Sequence, residues 1–90
     1  MILVVYDISD DDLRIRFAKF LKRFGRRVQL SVFEIRNSFR TLENVIKGVE
    51  NQFSNQFAAS DSIIIYRMSD NSCVAKFGFS ANEEENLVIW

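Results

Sequence analysis

The sequence predicts an α+β sandwich of the ferredoxin-like kind, with two helices on one face of a four-stranded antiparallel sheet and a short further strand at the carboxyl end. Three observations lead there. Nearly continuous apolar runs at residues 2–8 and 62–68 read as strands covered on both faces. Two stretches, about 10–24 and about 38–53, carry apolar stripes at helical spacing. These elements alternate along 90 residues without a repeat or a low-complexity segment, in an order that suits a split βαβ arrangement. The whole chain, 1–90, is expected to be one domain.

Strand 2–8 carries Tyr6 and Asp7 at its carboxyl end, where side chains of a mixed sheet emerge into a crevice. Ser9 and Asp10 are well placed to cap the helix that follows, with Ser9 and Asp12 approximating a capping box. Asp7 is thereby left without a local task. The first helix is expected from Asp10 to Phe24, ended by Gly25. Leu13, Phe17, Phe20, Leu21 and Phe24 form its buried face. Arg16, Lys19, Lys22 and Arg23 gather on the opposite side, with Arg14 on a flank. Acids at its start and cations at its end also suit the helix dipole, so a merely solvated face accounts for Lys19 and Lys22.

Residues 26–36 form a strand region whose alternation slips by one position. Val28, Leu30 and Val32 keep one phase and Phe33 and Ile35 take the other. That pattern reads as a bulge, a corner, or two short strands meeting at a bend. It puts Phe33 opposite the helix-packing residues Val28 and Leu30, where a second subunit would have to cover it. The second helix begins at Asn37 or Ser38 and runs to about Phe53. Phe39, Leu42, Val45, Ile46, Val49 and Phe53 form its stripe, and Gly48 weakens it slightly. A polar loop at 54–60 leads to strand 62–68, a turn at 69–72, a strand at 73–79, the acidic run Glu83–Glu85 and a terminal apolar strand at 86–90. The terminal strand suits pairing on an exposed edge, its own or a neighbour's.

Composition narrows the chemistry. There is no His and a single Cys, Cys73, so neither an intrachain disulfide nor a zinc site can form. A reducing compartment fits, and no segment reads as a signal peptide or a membrane span, which sets the expectation of a cytoplasmic protein away from membranes. The net charge is zero, but it is unevenly laid out. Residues 1–40 hold nine cations against five acids, and residues 41–90 hold three against seven. From Leu13 to Phe33 there are seven Lys or Arg and no acid. A carboxylate delivered by a buried strand beside such a surface is what a metal-assisted phosphodiester site requires. Arg14 and Arg16, one turn from Asp7, are placed to neutralise a phosphate held there. The same cationic surface could instead hold nucleic acid without cutting it.

The stretches VVYDISDD, LRIRFAKFL and GRRVQLSVFE together resemble the second protein of the CRISPR adaptation module, over about the first third of the chain. The resemblance implies a ferredoxin-like homodimer stacked sheet to sheet, with the last strand reaching toward the other subunit. It also implies a metal-dependent endoribonuclease or DNase, with Asp7 as the Mg²⁺ or Mn²⁺ residue. Tyr6, Asp7, Arg14, Arg16, Arg27 and Phe33 match motif positions linked to nuclease activity. Arg14, Arg16, Lys19, Arg23, Arg26 and Arg27 are the expected contacts to nucleic acid, either duplex DNA or single-stranded RNA. The implied partner is the adaptation integrase, two dimers of which the protein would bridge. One carboxylate per chain is sparse for Mg²⁺, and a two-fold axis bringing two Asp7 together would supply a second. Lys76–Phe79 faintly resembles the aromatic strand of an RNA-recognition motif, but its glycine spacing and chain position do not fit. A small-molecule regulatory domain on the same fold is the remaining alternative.

Overall fold

The computed structural model describes residues 1–68. The strands expected at 73–79 and 86–90, the acidic run and Lys76–Phe79 lie outside the described residues. Strand β1 (Ile2–Asp7) leads to helix α1 (Asp11–Leu21), the short strands β2 (Gly25–Gln29) and β3 (Val32–Ile35), helix α2 (Phe39–Gly48) and strand β4 (Ser62–Arg67). A π turn (Val49–Phe53) and a 3₁₀ turn (Ser54–Gln56) link α2 to β4. The four strands form one sheet in the order β2-β3-β1-β4, with every neighbouring pair antiparallel. The expected α+β class and its two helices on a four-stranded antiparallel sheet are therefore present.

The region 26–36 is two short strands, one of the readings that its slipped alternation allowed. It is a hairpin that turns at Leu30–Ser31, and the ladder between Arg27 and Gln29 is irregular at Val28. Because the chain reverses there, the two apolar phases belong to two strands rather than to one slipped strand. Phe33 pairs in register with Val4, is fully buried in the helix-covered core, and lies 6.3 Å from the Tyr6 ring. It needs no second subunit to cover it. Leu30, read as a helix-packing residue, is instead 78% exposed at the hairpin tip.

Two glycines permit close approaches that an alanine would obstruct. Gly25 does not end α1 but opens β2, and a side chain there would overlap the Glu34 carbonyl and meet Ile35 Cα at 2.6 Å. The helix stops earlier, at Leu21, since Arg23 and Phe24 bond back to the carbonyls of Phe20 and Leu21 in a tightened last turn. Gly48 lies where α2 crosses α1, and a Cβ would overlap the Phe20 ring. Phe20 cannot easily yield, because it packs on Phe24 and Phe53 with ring centroids 5.1 and 5.2 Å apart. Gly48→Ala should recover ~1 kcal/mol of helix propensity but incur ~1–3 kcal/mol of overpacking. A net loss is expected, readable as a melting temperature lower by roughly 4–8 °C per kcal/mol. An unchanged or raised melting temperature would refute the close crossing.

Alternation on β1 sets the two faces of the sheet. Ile2, Val4 and Tyr6 point into the core with Leu13, Phe17, Leu21, Val45 and Phe53. Leu3 and Val5 alternate the other way, beside Val32, Ile64 and Tyr66 across the ladders, and all five are only partly covered. The α2 stripe is narrower than its sequence suggests: Val45 and Phe53 are buried, whereas Phe39 is 70% exposed and Ile46 is also solvent-facing. Thr41 takes a buried position instead, bonded to the Ser38 cap.

Candidate nucleic-acid and metal site

Asp7 is the last residue of β1, and its register partner is Ser62 on β4. It is exposed, and no side-chain hydrogen bond or ion pair engages it among the described residues. Since Tyr6 points into the core, Asp7 projects to the uncovered face. The helix cap is Asp10, whose carboxylate accepts from the Leu13 amide at 2.8 Å. Ser9 does not cap; its amide and hydroxyl both donate to the Asp61 carboxylate, at 2.9 and 3.0 Å. Asp7 is thus free of capping duty, as the sequence implied, though by a different division of labour.

Tyr6 is buried edge-on to Phe17, with centroids 5.1 Å apart, and its hydroxyl donates to the Leu30 carbonyl at 3.4 Å. Burial pushes its phenol above the ordinary value, and the nearby Arg27 and Arg14 guanidinium groups oppose that only partly. A phenol of this kind stays protonated at neutral pH. Its bond to Leu30 ties the hairpin tip to the end of β1. Arg27 lies over the Phe33 ring at 5.4 Å, which fixes the guanidinium while leaving its N–H edges available.

Arg14 is anchored twice, to the Ile8 carbonyl at 3.1 Å and to Asp11 at 2.6 Å. The first contact ties it to the residue after Asp7, and Arg14 and Arg27 both stand near the Tyr6 hydroxyl. Arg16 is drawn away, to Asp12 at 3.2 Å and Gln56 at 3.1 Å. Arg26 is on the uncovered face and pairs with Glu34 at 3.3 Å. Adjacent in sequence, Arg26 and Arg27 therefore serve opposite faces. Lys19 near the end of α1 and Arg23 just beyond it form no ion pair among the described residues.

Sequence reasoning missed Asp61. One of its oxygens takes both Ser9 donors and the other takes the Ala58 amide at 2.8 Å, which staples the loop before β4 to the end of β1. The usable signal was an Asp-Ser pair just ahead of an apolar run. These bonds hold its carboxyl below the usual range. A depressed carboxyl contributes stability above its unfolded value and loses it as pH falls through the folded one. The amides of Ser9 and Ala58 should exchange hydrogen faster, relative to the amides of β1, near pH 3 than near pH 6. The same pH dependence for these two amides as for those of β1 would remove the staple.

A divalent cation can be tested against these residues. Among the described residues no group of three His, Cys, Asp or Glu could hold a metal. At the end of β1, Asp7 offers a carboxylate with no partner among the described residues, and both Asp61 oxygens are already engaged. One carboxylate with water and phosphate oxygens is within what Mg²⁺ accepts, and a second carboxylate would complete it more securely.

Fold and site together define a small α+β protein that ends its central strand in an exposed carboxylate, with Arg14 bonded to the residue that follows it. Residues 1–75 match the sequence model of the family described as CRISPR associated protein Cas2, and the chain belongs to that family. It is 36% identical over 78 residues to the CRISPR-associated endoribonuclease Cas2 of Mycobacterium tuberculosis, covering 86% of this chain and 65% of that one. It is 52% identical over 42 residues to the CRISPR-associated endonuclease Cas2 2 of Thermus thermophilus, covering 47% of each. The matches thus span about half to two thirds of these relatives. The crystal structure of Streptococcus pyogenes Cas2 superposes with a TM-score of 0.64 at 25% identity, over 78% of this chain and 87% of that one. No described helix is long and apolar enough to cross a membrane.

Proposed function

We propose that two copies of this chain stack through their uncovered sheet faces to form a nucleic-acid-binding endonuclease. In this reading, Asp7 of each copy faces the shared two-fold axis. The observation that carries it is the position of Asp7: an unengaged carboxylate on the face that also exposes Leu3, Val5, Val32, Ile64 and Tyr66, beside the Arg14–Arg27 end of the sheet. A partly covered apolar face on a chain of 90 residues favours a partner, because small domains bury a modest share of their surface. The names of the relatives, endoribonuclease and endonuclease, support the same activity.

Asp7 would hold Mg²⁺ or Mn²⁺, which supplies a water nucleophile at neutral pH and polarises the phosphate. Arg14 and Arg27 balance charge on the phosphate oxygens, and Tyr6 fixes the hairpin tip. With no His in the chain, no imidazole serves as the base. A second reading is favoured by the single carboxylate: the dimer is an architectural DNA binder that bridges the adaptation integrase and does not turn over. The test gives the purified protein single-stranded RNA and duplex DNA with Mg²⁺, Mn²⁺ or EDTA, measures cutting and binding together, and takes the molecular mass by sedimentation. Metal-dependent cutting by a dimer is expected. Binding without cutting would select the architectural reading, and a monomer would sink the shared-axis site.

A further inference from the structure

Two shallow depressions between α1 and the α2–π-turn segment merge into one open groove. They measure about 460 and 380 Å³ and share Phe20, Arg23 and Gln52. Their floor is aromatic, and no Asp or Glu lines either of them. Lys19 and Arg23 stand along one wall and Lys47 on the other, with the Asn51 and Gln52 amides beside it. This groove is on the helical layer, the opposite side of the sheet from the surface that displays Asp7.

We infer that this groove is a second track for a nucleic-acid backbone, separate from the Asp7 site. The inference rests on the nucleic-acid reading of the protein but not on its cleavage chemistry. Lys19 in the last turn of α1 and Arg23 just beyond its end both line the groove, so they can meet successive charges of one strand. The Arg23 guanidinium lies over the Phe20 and Phe24 rings at 6.0 and 5.5 Å, and its carbonyl accepts from Arg36. That contact presents the guanidinium edge outward, the geometry that suits phosphate oxygens. The groove is open along its length, so a small anion would remain largely in water. An extended polyanion instead gains every cation at once. Asn51 and Gln52 add donors and acceptors suited to sugar hydroxyls or base edges, which an acidic protein surface does not offer.

The π turn makes this surface. By widening the last turn of the helical segment it swings Phe53 into the core against Phe17, with centroids 5.1 Å apart, while Gln52 stays on the groove wall. Gln56 bonds the Gln52 carbonyl at 2.7 Å and accepts from Arg16, closing one end.

The test measures fluorescence anisotropy of labelled single-stranded DNA, single-stranded RNA and duplex DNA across a salt series. Wild type is compared with Lys47→Ala, Lys47→Glu, Gln52→Ala and Arg14→Ala, each first checked for an unchanged melting temperature. Lys47→Ala should lower the salt slope by ~0.7–0.9, and Lys47→Glu should weaken binding about tenfold at low salt. Whichever nucleic acid shows the change identifies the strand form that the groove takes. Lys47 and Gln52 variants that bind as wild type, while Arg14→Ala weakens, would overturn the groove and leave the Asp7 site standing. A wild-type protein that binds none of the three would overturn both. Equal binding of polyglutamate at the same salt would overturn the nucleic-acid assignment of the groove.

Discussion

Asp7→Ala is expected to lower metal-dependent cleavage by at least about a thousandfold while leaving nucleic-acid affinity within about twofold. The cleavage figure follows from a metal contribution of several kcal/mol to the transition state, at about tenfold per 1.36 kcal/mol. Affinity should survive because phosphate binding rests on the arginines, and Arg14 keeps its contacts to Ile8 and Asp11 without Asp7. Stability should change little, since Asp7 is exposed and holds no bond among the described residues that the fold depends on. The loss should also persist in Mn²⁺. Two outcomes would count against the assignment. Cutting that survives the substitution would place the chemistry elsewhere or in a contaminant. A loss of cutting that tracks a fall in melting temperature would make Asp7 a structural residue.

Phe17→Ala should cost ~3–5 kcal/mol, against a total of ~5–13 kcal/mol for a domain of this size. Phe17 is fully buried and meets Tyr6, Phe20 and Phe53, with ring centroids 5.1, 6.0 and 5.1 Å away. It joins α1 and the π turn to the central strand, so its removal leaves a cavity that no single neighbour can fill. The loss should also reach the site, because the Tyr6 ring that supports the hairpin tip packs against it. Phe39→Ala is the matched control. The side chain is the same but 70% exposed, and the expected change is within ~0.5 kcal/mol. Urea melts of the two variants decide it. Equal costs would mean that Phe39 is covered in solution, and a mild cost at Phe17 would contradict the packing described.

The sequence by itself determined the fold class, because its apolar spacing is local: strands at 2–8 and 62–68 and stripes such as Leu13, Phe17, Phe20 and Leu21 state which face each element must bury. It also determined the residues of interest at the end of β1, since a carboxylate following a buried strand and preceding a cationic helix needs no tertiary information to stand out. The motif stretches narrowed the family for the same reason. Only the tertiary structure decided what depends on chain reversal and long-range contact. The Leu30–Ser31 turn moved Phe33 into the core and Leu30 to the surface, reversing a reading that periodicity alone favoured. Asp61 reaches Ser9 across 52 positions, and Gln56 reaches Arg16 across 40, distances over which no spacing rule operates. The arginines, alike as a run of charge, were sorted by partners: Arg14 and Arg27 toward Tyr6, Arg16 to Asp12 and Gln56, Arg26 to Glu34 on the uncovered face that Asp7 shares, and Arg23 to the groove between the helices. Hydrophobic burial is written into the order of residues, whereas the assignment of a charge to a site is set by whichever neighbours the folded chain brings within reach.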